Sequence, residues 1–191
     1  FDPISGTGPK RSNVYHINMV HVARHKVYLS GLHTRSLLHL HNDMSVKEVC
    51  DLPAGTHNAQ PFGNGVIYND TRNNSLAYLE HGVIRCNLPI IRYPKESLQC
   101  VGVDDSRIAR QAFARGLCAL DDRYVVGGSS PSTISVYDLW HNRRVASVNL
   151  TSDVRNAIHG LEVCPLSLLP EPTQNETMRT PVSSSANWKK L

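Results

Sequence analysis

The 191-residue sequence predicts an all-β fold: a partial β-propeller of about three four-stranded blades plus the first strand of another. Three observations lead there. Helical periodicity is nearly absent, while short runs rich in Val, Ile, Leu and Tyr alternate with Gly, Asn, Asp and Ser. Those runs repeat one four-strand plan three times. The repeats open at residues 16, 57, 115 and 159, spaced 41, 58 and 44 apart, and propeller blades recur about every 40–45 residues. An antiparallel sandwich with similar hairpins is the competing reading, but it does not explain why the lead residue and the second-strand centre stay in phase.

Residues 1–13, "FDPISGTGPKRSN", read as a linker. They lack the basic-then-apolar build of a signal peptide, and the missing initiator Met leads us to expect a processed or partial product. The first blade, 16–52, runs through "HINMVHVARHKVYLSG", "SLLHLH" and "SVKEVCDL". The second, 57–88, runs through "HNAQPFGNGVIYND", "SLAYLE" and "GVIRCNL". A loop insert, 89–113, accounts for the long middle spacing. The third blade, 115–150, comprises "RGLCALDDRYVVGGSS", "TISVYDL" and "RRVASVNL", and "HGLEVCPL" (159–166) is expected to lead another. "GNG", "TRNNS" and "LDDR" supply hairpin connectors. The segment 167–191 is polar, rich in Ser, Thr and Pro, and reads as an irregular tail. Three blades do not close a ring, so the remaining ones are expected from the same gene product or from another chain.

Composition excludes several classes. Net charge is +4 with pI near 8.9, yet Lys and Arg are dispersed, so no nucleic-acid stripe forms. No run of 18 apolar residues exists to span a membrane. The five cysteines are odd in number and widely spaced, which favours buried thiols in a reducing, cytoplasmic setting. Four Asn-x-Ser/Thr triplets, at Asn69, Asn73, Asn149 and Asn175, matter only in a secreted protein. "GTG" and "GNG" lack the Lys-Ser/Thr ending of a phosphate loop, and no Gly-x-Ser-x-Gly elbow occurs.

The first strand of each blade lines a propeller's channel, so residues in phase at its start converge on the axis. Here they are His16, His57, Arg115 and His159. Three imidazoles on one axis could hold one divalent transition metal, Zn²⁺ or Fe²⁺, with Asn18 and Asn58 orienting them or meeting a ligand. Arg115 argues the other way. A fixed cation repels a metal and suits an anion held by two hydrogen bonds. Inner-strand histidines can also serve only to satisfy carbonyls between blades. Three readings stay open: a metal or catalytic site, a metal-free pocket, and structural histidines. His21, His25, His33, His39 and His41 read as exposed outer positions, His81 and His141 as turn residues, and Asp104–Asp105 as a loop turn.

Taken together, "YHINMVHV" (15–22), "GTHNAQPFGNGVIYNDTRNNSLAYLE" (55–80), "ARGLCALDDRYVVGGSSPST" (114–133) and "ISVYDLWHNRRVASVNL" (134–150) resemble a family of bacterial β-propeller domains of unknown function. More distantly they are similar to six-bladed propellers of the lactonase and NHL type. The resemblance covers roughly 14–165 and implies the fold; it implies no settled reaction. The functional expectation is a binding module whose polar central channel takes a small molecule, glycan or protein partner. The alternative is a metal-dependent hydrolase or oxygenase with histidine ligands on the axis.

Overall fold

The computed structural model describes residues 14–101 and 110–164. Among them, twelve strands make three four-stranded antiparallel sheets, each with its strands side by side in chain order. Blade 1 comprises β1 (Ile17–Ala23), β2 (Lys26–Gly31), β3 (Ser36–Leu40) and β4 (Val46–Asp51). Blade 2 comprises β5 (Thr56–Phe62), β6 (Gly65–Asp70), β7 (Ser75–Glu80) and β8 (Val83–Pro89). Blade 3 comprises β9 (Phe113–Ala119), β10 (Tyr124–Ser130), β11 (Thr133–Asp138) and β12 (Arg143–Asn149). The expected linker 1–13, Asp104 and Asp105, and the tail 167–191 lie outside the described residues.

Local chemistry sets the hairpins. His81 and Gly82 join β7 to β8 with φ of 51° and 77°, the doubly positive geometry of a type I′ turn. Asp138 anchors the longer β11–β12 connection. Its buried carboxylate takes two hydrogen bonds from the Arg123 guanidinium, at 3.0 and 2.6 Å, and accepts the backbone N–H groups of Trp140 and His141. Those donors, with Arg123 foremost, hold it well below the usual carboxylate range.

Blade 2 is the middle layer, and strict alternation along β6 explains how it buries both faces. Val66 and Tyr68 turn toward blade 1, against Leu37 and Leu52. Ile67 turns the other way, joining Leu76 and Leu88 against Leu117, Val125 and Tyr137 of blade 3. Among the described residues, nothing covers the outer face of blade 1 in this way. Val22, Val27, Leu40 and Val46 lie directly opposite one another across its four strands, and Val22 is 66% and Val46 53% exposed.

Two boundaries differ from expectation. The third blade opens at Phe113, and both ends of the expected loop 89–113 belong to the core, with Ile90 and Ala112 buried. Residues 159–164 form no strand. The chain instead passes beside β9, where Gly116 N–H donates to Ile158 O at 2.8 Å and Ile158 N–H to Ser129 O at 3.4 Å. Gly128 permits this approach, since a Cβ there would lie 2.6 Å from the Ile158 side chain. The backbone groups that meet Ile158, Gly116 of β9 and Ser129 of β10, flank the register shift between those two strands and offer single bonds and no ladder.

Candidate functional site

Each inner strand breaks its pairing register near its start. The breaks lie between Ile17 and Met19, between His57 and Gln60, and where Ala114 and Leu117 face Ser129 and Gly127. An extra residue interrupts the two-residue alternation and re-aims a side chain out of the seam between blades. Asn18, Asn58 and Arg115 occupy the three breaks, and Asn58 alone of the three takes a left-handed backbone, at φ 52°.

The four in-phase residues come together, joined by Phe113. The rings of His16 and His57 lie 6.3 Å apart, edge to face, and His57 meets Phe113 at 5.6 Å. The Arg115 guanidinium stacks 4.3 Å from the Phe113 centroid, and its Nη1 lies 3.1–3.2 Å from both ring nitrogens of His159. An arc of imidazole, phenyl and guanidinium groups thus runs through all three blades to the 158–160 segment. His33 extends it, 6.2 Å from His16.

Beside the arc, Leu32, His33, Gly55, Thr71, Arg72, Arg110 and Phe113 line a cavity of about 320 Å³, and none of them carries a carboxylate. Arg110 also stacks on Phe113, 4.8 Å from its centroid. It is held by the Thr71 carbonyl and the Asn74 side chain. The Arg72 stem lies where a Cβ on Gly55 would sit, which ties that arginine to the cavity wall. Among the described residues, no ion pair involves Arg72, Arg110 or Arg115. Two nitrogens inside the arc are buried without a partner, His57 Nδ1 and Arg115 Nε. Since guanidinium Nε is always a donor, the second is a hydrogen bond awaiting an acceptor.

Electrostatics follow the crowding. Burial, then the charge of Arg115, push His57 down to about 4, with His16 and His159 adding to it and the Gly55 carbonyl opposing it. Burial lowers Arg115 as well, and burial and Arg115 lower His159. An unfolded histidine protonates near pH 6.5, so here acid favours the unfolded chain. The contribution of His57 is complete above pH 6.5 and is lost as pH falls toward 4, by up to about 3 kcal/mol. We expect His57→Gln to flatten that part of the stability profile. Urea unfolding of both proteins at pH 6.5 and 4.5 measures the difference, and parallel losses would show that His57 is not held neutral.

The expected roles divide. His16, His57, Arg115 and His159 are neighbours, as their phase implies. They do not form a preassembled coordination shell: among the described residues, no three of His, Cys, Asp and Glu form a group able to hold a metal ion. Asn18 and Asn58 serve backbone, not histidine rings. Asn18 donates to Thr56 O and accepts Asn58 N–H, both at 3.2 Å, and Asn58 Nδ2 donates to His159 O at 3.1 Å. They fasten β1 to β5, and β5 to the 158–160 segment. Phe113 and Arg110, expected in a loop, and His33, expected on the outside, belong to the site. Arg72 was expected only as part of a turn. Among the described residues, no helix is long and apolar enough to cross a membrane, and Cys50, Cys86, Cys100 and Cys118 form no disulfide.

No family model matches the chain, and no curated protein matches its sequence. Solved propeller structures are similar in fold. The computationally designed protein Ika8 is 12% identical with a TM-score of 0.50, covering 80% of this chain and 41% of its own. This chain therefore spans about two-fifths of that protein. The designed protein Ika4 is 12% identical with a TM-score of 0.49, covering 83% of each chain. BamB from Moraxella catarrhalis is 17% identical with a TM-score of 0.42, covering 70% of this chain and 38% of its own. Three stacked four-stranded meanders and the likeness to Ika8 establish a propeller-like, all-β fold.

Proposed function

We propose that this chain is the binding portion of a β-propeller, related to the propeller family its sequence resembles, and that its channel mouth holds an anionic small molecule. One observation carries the reading: arginines from the β6–β7 turn, the approach to β9 and β9 itself gather with four histidines around Phe113, while among the described residues no carboxylate lines the cavity. Like charges held together in a partly buried site repel one another and cost desolvation, and a bound anion relieves both. Guanidinium groups fixed by stacking present their N–H edges in a fork that matches carboxylate and phosphate oxygens. The uncovered apolar face of blade 1 supports a second part of the reading, that further blades complete the ring.

The test is a calorimetric titration of the protein with phosphate, citrate and a sulfated disaccharide at low ionic strength. We expect one of these to bind, and Arg115→Gln to weaken it about 10- to 100-fold, the loss of a charge-assisted, bidentate contact. Absence of binding by all three, at concentrations up to 10-fold above ~1 mM, would remove the anion reading.

A further inference from the structure

We infer that the ligand carries two anionic groups, as a diphosphate or bisphosphate does, and bridges two cationic subsites separated by the Phe113 ring; this rests on the anion-binding reading above. The inner subsite is Arg115 with His57 and His159, and the outer is Arg72 and Arg110 with His33.

Phe113 acts as the divider. Its ring is 7% exposed, and both guanidinium carbons lie within 5 Å of its centroid, at 4.3 and 4.8 Å. Stacking on one ring anchors both guanidinium groups and keeps the two charges a short span apart. In the inner subsite, the orphaned Arg115 Nε–H and His57 Nδ1 are the unmet hydrogen-bonding positions. In the outer, Arg110 is already held by protein acceptors and supplies charge, whereas the exposed Arg72 guanidinium is available to close on a ligand. Arg92 adds like charge to Arg110, which, after burial, lowers its pKa. A single anion can compensate one subsite and leaves the other cationic and part-buried. Two linked anions compensate both, and the second binds at the high effective concentration set by the first.

The probes are inorganic phosphate, pyrophosphate and a hexose 1,6-bisphosphate, titrated calorimetrically into the protein, Arg72→Gln and Arg115→Gln, each first shown to be folded by its melting transition. Pyrophosphate or the bisphosphate should bind ~100-fold more tightly than phosphate. Each substitution should remove most of that preference, while the two affect phosphate unequally, since it occupies one subsite. If phosphate binds as tightly as both two-anion probes, or if either substitution leaves the preference intact, the bridge is overturned and simple anion binding stands. If none of the three probes binds, both readings fall for phosphate-type ligands, and citrate then decides whether anion binding survives.

Discussion

Leu76→Ala is expected to destabilise the protein by about 3 kcal/mol. Leu76 is fully buried in the seam between blades 2 and 3, among Ile67, Leu88, Leu117, Val125 and Tyr137. Across the seam stands Gly127, in direct reach of it: a Cβ built there would lie in ordinary contact, 3.4 Å from Leu76 Cδ1. A glycine cannot move into the space the leucine vacates, so the cavity persists and its cost adds to the lost transfer energy. Val83→Ala is the control. Val83 is apolar too, but it is 52% exposed on β8, and its truncation should stay within about 0.5 kcal/mol. Equal midpoints for the two variants in urea would mean that the blades do not share a packed seam.

Asn69→Ala should cost about 2–4 kcal/mol and also weaken anion binding, whereas Leu76→Ala should leave affinity nearly unchanged. Asn69 is completely buried, and its Nδ2 donates to two consecutive carbonyls, Arg115 O at 3.1 Å and Gly116 O at 3.0 Å. Those carbonyls belong to the register break in β9, where the ladder supplies no regular partner. Truncation strands both and frees the backbone that aims Arg115. Measuring stability and phosphate affinity on the two variants separates aim from general firmness. Equal affinity in both variants would show that Asn69 supports the fold alone.

The difference between these residues also describes what could be read from the sequence. Blade limits were legible to within one or two residues, because period-two alternation and turn chemistry are local and repeat in each blade. The nearness of His16, His57 and Arg115 follows from the repeat, whereas His159 reaches Arg115 without leading a strand. Arg72 and His33 were not legible, although a signal existed. Each lies two residues beyond the end of its blade's second strand, after Asp70 and Gly31, so phase-matching the strand exits as well as the entrances would have paired them. Phe113 and Arg110 left no such trace. Their place follows from how the connection from β8 packs back into the seam, which depends on contacts distant in sequence. Asn18 and Asn58 were expected beside the histidines, orienting them or meeting a ligand. Their hydrogen bonds run across to neighbouring segments, and strand periodicity says nothing about those.

The register breaks in β1, β5 and β9 have a further consequence. A residue that sits outside the ladder contributes little to strand pairing, so its identity is set by what its side chain meets beyond the strand. Within this one chain the equivalent positions already hold two asparagines and an arginine, as three drafts of the same sentence differ in one word. At 115 an exchange alters what the channel mouth recognises, whereas at 18 and 58 it also cuts the hydrogen bonds that tie β1 to β5 and β5 to the 158–160 segment. A laboratory library that samples new specificities on an intact scaffold is therefore one confined to 115.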